Sequence, residues 1–307
     1  MSFLHMSKRI SSGKAVWTSF LVDLGDIILN VIVMLTTGSV VMLSEAFEGL
    51  ADLVASGLLL IGLRISKRRP NKKHPFGFGK ALFFWTLISA IVMLMFGAGL
   101  SVYFGVQRFL HPEEIEKIFL AYGALCISII TNGYALSLST RRLLGKEKIT
   151  KIFRIFLTTT HVETKNTFIL DFTGTASAIM GLISLVLYQF AKIQYFDAVG
   201  AILIGMLIAV SSVMLIWGVK DYLTGKTASA GTEESIRKAT LKVKEVAGIR
   251  ELKTMYIGSE KLLVHLDINV QPADQKNLEQ TVEKIKEHIR KEVPVVYSIQ
   301  VETRVLS

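Results

Sequence analysis

Three carboxylates stand within the apolar stretch that follows Gly38. Glu45, Glu48 and Asp52 are spaced i, i+3 and i+7, so a helix would carry all three on one face. A fourth carboxylate, Asp171, lies in another long apolar segment. An ionisable group near the middle of a bilayer costs from about 3 to more than about 10 kcal/mol, and such groups mark ion pathways. The pattern therefore predicts an intramembrane cation site.

The segments that carry these acids are long enough to cross a membrane. Hydrophobic residues make up 51% of the 307-residue chain, and its mean hydropathy is +0.47. A span needs about 20 apolar residues to cross a hydrocarbon core of about 30 Å. The sequence predicts an all-α membrane domain with six spans, at about 15–36, 40–63, 82–106, 117–140, 166–190 and 196–217.

The loop charges predict the orientation of the spans. The segments Arg64–Lys80 and Arg141–Lys165 each carry seven Lys or Arg residues, whereas the loops on the opposite side carry few. The positive-inside rule then places both termini in the cytoplasm. We expect a multi-pass protein of the cell membrane, with a prokaryotic inner membrane as the host. The basic residues flank spans and form no stripe with stacking aromatics, which argues against nucleic-acid binding as the reason for the net charge of +10.

The character of the chain changes after Asp221. Residues 223–231 form a small-residue linker between a membrane domain at 1–222 and a cytoplasmic domain at 232–307. Thr232 is predicted to cap a first helix, strands follow at 250–257 and 261–270, and a second helix at 275–292 precedes a strand at 296–305. The order αββαβ predicts a ferredoxin-like, open-faced α+β sandwich with both helices on one side of an antiparallel sheet. So small a core would gain from packing against a second copy, which predicts a homodimer.

Two motifs resemble those of the cation diffusion facilitators, a family that moves divalent metal ions out of the cytoplasm, usually in exchange for protons. The first is G-S-V-V-M-L-S-E-A-F-E-G-L-A-D-L-V-A-S at 38–56. The second, H-P-F-G-F-G-K at 74–80 followed by Phe83, Phe84 and Trp85, is similar to the branch of mitochondrial zinc-transporter-like proteins. The six spans and the αββαβ tail extend the resemblance over nearly the whole chain.

The resemblance implies a metal site shared by two spans. Glu48 and Asp52 occupy the two ligand positions of the second span, and Asp171 occupies the second ligand position of the fifth. The first position of the fifth span holds Thr167 where relatives have His or Asp. Thr167, a backbone carbonyl, water or Glu45 would complete the site. A site built only of oxygen ligands suits Mn²⁺, Fe²⁺ or Mg²⁺, whereas Zn²⁺ commonly recruits His or Cys, although it also accepts carboxylates.

Acidic residues in the first span extend the polar path. Asp23, Asp26 and Asn30 are spaced i, i+3 and i+7, and the two acids either line the path of the ion and exchange protons or form a polar face against another helix. We expect a metal/proton antiporter that exports Zn²⁺, Mn²⁺ or Fe²⁺ and has no prosthetic group. The alternative is a passive divalent cation channel. The chain shows no nucleophile elbow, P-loop or H-E-x-x-H motif, so an enzyme is not expected.

Two further histidines resemble remnants of metal sites found in relatives. His74 has Phe78 where a second ligand would stand, so we interpret it as a turn residue. His265 and Asp267 share one face of a predicted strand, either as a weak ion site or as a polar pair.

Overall fold

The computed structural model describes residues 12–145, 147–159, 161–271 and 275–305, and it describes their side chains from residue 24 onward except at positions 158, 275, 276 and 305. Two compact units emerge. The first comprises the residues up to Leu59, Ile88–Thr159 and Glu163–Ile216; the second comprises Leu60–Leu87, a short piece ending at Val162, and the chain from Trp217 onward. The helices are α1 Ser12–Thr37, α2 Val40–Ser66, α3 Ala81–Val92, α4 Gly99–Leu110, α5 Ile118–Leu144, α6 Ile152–Thr158, α7 Val162–Ala191, α8 Tyr195–Thr224, α9 Ala230–Leu241 and α10 Gln275–Glu292; the strands are β1 Val246–Gly258, β2 Lys261–Val270 and β3 Val296–Val305.

Five helical segments in the described part of the chain are long and apolar enough to span a membrane. They are Val40–Ser66, Ala81–Leu110, Ile118–Leu144, Val162–Ala191 and Tyr195–Thr224. Four of them contain a predicted span, and Ile118–Leu144 contains all but the first residue of the span predicted at 117–140. The sixth predicted span lies in α1, which is helical over 26 residues and apolar over its described part, Leu24–Thr37.

The third predicted span is interrupted. α3 and α4 are joined by a π-helical segment, Met93–Ala98, so that Ala81–Leu110 forms one helical run. Beyond this segment α4 meets α8 at glycines: a Cβ on Gly105 would lie 3.0 Å from the amide nitrogen of Ile202, and a Cβ on Gly205 would lie 3.0 Å from that of Val102. Small residues of this kind let the backbones of membrane helices touch directly.

The C-terminal αββαβ order is confirmed, but the expected antiparallel sheet is wrong in part. β1 pairs with β2 antiparallel through the hairpin at residues 258–261, while β2 pairs with β3 in parallel. The connection from β2 to β3 runs through α10, and a helical crossover returns the chain in the same direction, whereas a hairpin reverses it. Fully buried apolar residues of β2 and both helices form the core: Leu262, Val264, Leu266, Ile268, Ile236, Ile285 and Ile289.

The linker is anchored to the sandwich. The amide of Tyr256 in β1 donates to the carbonyl of Lys226 at 3.0 Å, and the amide of Ala228 donates to the hydroxyl of Thr254 at 2.9 Å. The prediction that Thr232 caps the first helix is wrong. The cap is Ser229, whose hydroxyl oxygen accepts from the amide of Thr232 at 3.2 Å, and the helix therefore starts two residues before Thr232.

Gly77 and Gly79 are needed for different reasons, one for its backbone conformation and the other for a close contact. Gly77 adopts a φ of +82° in the turn after His74. Gly79 lies against the end of β1, where an added Cβ would collide with the Ile257 carbonyl oxygen. Three aromatic rings also pack together in this unit. The ring centroids of Phe83 and Tyr222 are 4.9 Å apart, and those of Tyr222 and Tyr256 are 5.5 Å apart.

We expect Gly79→Ala to destabilise the second unit by about 1–3 kcal/mol, because the new methyl group meets backbone that cannot rotate away. The midpoint of thermal unfolding in detergent measures the effect. Gly231→Ala in α9 is the control, since nothing lies within 4 Å of the Cβ it would add. Equal midpoints for the two variants would contradict the close approach.

Candidate metal site

The three acids of α2 project from an apolar helix, as their spacing predicts. Glu45 and Glu48 are buried, with 2% and 7% of their surface exposed, and Asp52 is half-buried. Buried carboxylates on a helix of membrane length are costly unless they meet polar partners or a cation. Their surroundings therefore indicate what they bind.

Glu45 lies in a polar layer shared by four helices. The hydroxyl of Ser177 on α7 is within hydrogen-bonding reach of its carboxyl group, and the negative charge of Asp26 on α1 acts on it. The hydroxyl of Ser128 on α5 donates to Asp26 at 3.0 Å. Among the described residues, Glu45 Oε1 has no hydrogen-bond partner. The sequence did not predict that Asp26 and Glu45 come close together.

Glu48 faces a gap in the surface of α7. Its Oε1 lies 3.2 Å from the point where a Cβ on Gly174 would stand. Gly174 is three residues after Asp171, so this carboxylate approaches α7 about one turn from the predicted ligand. A larger side chain at position 174 would occupy the space that Glu48 now reaches.

Asp171 lies on the predicted helix and is half-buried, and polar groups of α5 lie beside it. The hydroxyl of Ser139, which donates to the Leu136 carbonyl at 3.2 Å, is within reach of the Asp171 carboxyl group, and the positive charge of Arg142 acts on it. Thr167 donates its hydroxyl to the carbonyl of Glu163 in the same helix at 3.0 Å. Asp23 lies in α1, but its side chain is outside the described residues.

The described side chains contain no group of three or more His, Cys, Asp or Glu residues that could hold a metal ion. The structure brings Asp26 close to Glu45 and sets Glu48 near the helix of Asp171, without gathering Glu48, Asp52 and Asp171 into one cluster. The three-carboxylate site therefore stays a prediction.

A buried ion pair that the sequence analysis missed lies at the start of α2. Asp197 is fully buried; it accepts from the Ser39 hydroxyl at 2.7 Å and from the amides of Val40 and Val41 at 3.0 and 3.1 Å. Arg108 lies 3.6 Å from the same carboxylate and donates to the carbonyl of Gly38. The only sequence signal was an acid in the first turn of one span and a base in the last turn of another.

The polar face of the C-terminal sheet is occupied by ion pairs. Asp267 Oδ2 lies 3.8 Å from Arg250 and 3.7 Å from Arg304, and His265 lies 3.9 Å from Glu302. A hydrogen bond from Lys253 holds the pKa of the neighbouring Glu251 below its usual range. These contacts favour the polar-pair interpretation of His265 and Asp267 over an ion site.

His74 packs on an aromatic ring. Its ring centroid is 4.2 Å from that of Phe78, and its backbone closes a turn with Asn71. This geometry supports the interpretation of His74 as a turn residue.

Comparison with known proteins identifies the family of the chain. Residues 16–224 match the family model described as the cation efflux transmembrane domain. The chain belongs to the cation efflux family. The match covers the helices that carry Glu48, Asp52 and Asp171, so the resemblance to the cation diffusion facilitators is confirmed, and the family is one of membrane transporters and not of enzymes.

Family members resemble the chain over different shares of their length. The mouse protein named proton-coupled zinc antiporter SLC30A9, mitochondrial, is 25% identical over 259 residues, which are 84% of this chain and 46% of that protein. Zinc transporter ZitB of Pectobacterium atrosepticum is 23% identical over 305 residues, which are 98% of this chain and 89% of that protein. The chain thus spans about half the length of the mitochondrial relatives it matches.

Among solved structures, the chain is similar to a nickel form of a MamM C-terminal-domain variant. The identity is 18%, the TM-score is 0.25, and the match covers 26% of this chain and 100% of that one.

Proposed function

We propose that the chain is a metal/proton antiporter that exports Zn²⁺, Mn²⁺ or Fe²⁺ across a cell membrane. The observation that carries the proposal is the buried carboxylate of Glu48, which faces α7 through the gap at Gly174. Asp52 lies one helical turn further along α2 and Asp171 one turn along α7. Small movements of α2 and α7 would then bring three carboxylates around one ion.

Exchange follows from the chemistry of these groups. Carboxylates that approach one another without a cation repel, and either protons or a divalent ion relieves the repulsion. Metal and protons therefore compete for the same oxygens. Release of the metal on one side and of protons on the other requires the spans to open alternately around the site.

The orientation and assembly complete the proposal. The basic loops at Arg64–Lys80 and Arg141–Lys165 support a cytoplasmic position for both termini, because positive charge favours the cytoplasmic side. We assign the sandwich after the linker to dimerisation between two copies of the chain. The mitochondrial relatives are named proton-coupled zinc antiporters, which supports zinc and protons as the exchanged ions.

Flux in sealed proteoliposomes tests the proposal. With an imposed pH gradient, we expect saturable uptake of Zn²⁺, Mn²⁺ or Fe²⁺, and we expect Asp52→Asn and Asp171→Asn each to lower the initial rate about 100-fold, since each removes a charged ligand. Glu114→Gln is the control, because this exposed acid lies in a loop outside the spans.

Two outcomes would contradict the proposal. Flux that persists in Asp52→Asn and Asp171→Asn would remove the site. Flux that depends on these acids but ignores the pH gradient would favour the passive channel.

A further inference from the structure

One face of α5 carries a row of polar residues, and acids of the neighbouring helices lie beside this row. Ser128, Asn132 and Ser139 are spaced i, i+4 and i+11, which places them within about 40° of one another around the helix. Ser128 donates to Asp26, and the hydroxyl of Ser139 is within reach of the Asp171 carboxyl group. Asn132 lies between them on the same face, and the sequence analysis assigned it no part in the site.

Asn132 faces the same gap as Glu48. Its Oδ1 lies 3.3 Å from the point where a Cβ on Gly174 would stand, and Glu48 Oε1 lies 3.2 Å from that point. One amide and one carboxylate, from α5 and α2, therefore converge on the glycine of α7. Asn132 is half-buried, whereas Glu48 is 7% exposed.

The amide of Asn132 could act in two ways, as a metal ligand or as a hydrogen-bond donor. Its carbonyl oxygen is a neutral ligand that adds no charge to the site, while its NH₂ group is a hydrogen-bond donor. Carboxylate, carbonyl and water oxygens suit Mn²⁺ and Mg²⁺, whereas imidazole and thiolate groups suit Zn²⁺. An amide oxygen beside Glu48 would thus extend an oxygen-only ligand set instead of supplying the nitrogen that zinc sites commonly contain.

We propose that Asn132 is a specificity-determining residue, whose amide oxygen binds the transported ion together with Glu48 and favours Mn²⁺ over Zn²⁺. The inference rests on the proposed transport function and narrows it to a harder ion. Gly174 is part of the arrangement, because its missing side chain leaves room for both groups.

Competition between the two metals tests this inference. Initial rates of Mn²⁺ and Zn²⁺ uptake are measured in one proteoliposome preparation for the wild type, Asn132→Leu and Asn132→His. We expect Asn132→Leu, which has a similar volume and no ligand, to lower the Mn²⁺/Zn²⁺ rate ratio about tenfold. Asn132→His supplies an imidazole and should lower the ratio further by raising zinc transport.

Thr131→Val is the matched control. Thr131 is half-buried on the same turn of α5, and its hydroxyl donates at 3.1 Å to the carbonyls of Ile127 and Ser128 in its own helix. Its removal should leave the ratio unchanged. Asn132→Gln, which keeps the amide but moves its oxygen by one methylene, provides a second variant should Asn132→Leu fail to fold, and should also lower the ratio.

Binding gives a second readout that does not depend on transport. The dissociation constants of Mn²⁺ and Zn²⁺ are measured by titration calorimetry on the purified full chain in detergent, and Asn132→Leu should weaken Mn²⁺ binding more than Zn²⁺ binding. An equal loss for both metals would reduce Asn132 to a positioning residue that donates to Glu48, and an unchanged ratio would exclude any part in selection. Wild-type flux that is insensitive to Asp52→Asn would instead overturn the transport function itself, and this inference with it.

Discussion

Replacing Asp197 by alanine is expected to lower the free energy of unfolding by about 3–5 kcal/mol, because it removes one partner of a buried ion pair. The guanidinium of Arg108, whose side chain is 6% exposed, would lose the buried carboxylate 3.6 Å away. The first turn of α2 would lose three hydrogen bonds at the same time, from Ser39, Val40 and Val41. Reversible titration with SDS in mixed micelles measures the change.

Glu113→Gln is the matched control for this prediction. Glu113 contacts the same guanidinium at 2.8 Å, but its side chain is 74% exposed. Exposed ion pairs contribute less than about 1 kcal/mol. If both variants lost the same stability, the buried pair would contribute no more than a surface contact.

Gly205→Leu is expected to cost about 3 kcal/mol, at the upper end of the range for overpacked sites. The leucine would meet the backbone where the π-helical segment joins α4, since even a Cβ on Gly205 would lie 3.0 Å from the Val102 amide nitrogen and 3.1 Å from the Ala98 carbonyl oxygen. The two helices would have to separate. The same SDS titration measures this loss.

Gly218→Leu is the matched control, because it places a leucine in the same helix, α8, at a position without close contacts. Nothing lies within 4 Å of a Cβ at Gly218. We therefore expect this variant to keep the stability of the wild type. A comparable loss at both positions would show that close contact with α4 is not the cause.

Local patterns in the sequence predicted the helices and strands well. Apolar length located the spans, because a helix in a membrane satisfies its own backbone hydrogen bonds. The turn residues Gly258 and Ser259 between two alternating stretches located the hairpin between β1 and β2. Capping was less certain, because Ser229 and Thr232 are both good capping residues and only the path of the linker along β1 selects Ser229.

Contacts between residues far apart in the sequence could not be predicted from local patterns. Arg108 and Asp197 are 89 positions apart, and each by itself looks like an ordinary charged residue at the end of a span. Asn132 was missed because a single amide in an apolar run predicts no partner. The pattern Ser128, Asn132, Ser139 becomes informative only when each residue is set beside the acid that faces it.

The rings of Phe83, Tyr222 and Tyr256 have a mechanical consequence. They join the first turn of α3, the last turn of α8 and β1 in one packed row, and the backbone of Gly79 rests on the end of the same strand. These contacts hold the sandwich and the two helix ends together as one packed body. A sandwich attached only through residues 223–231 would instead rotate independently of these helix ends.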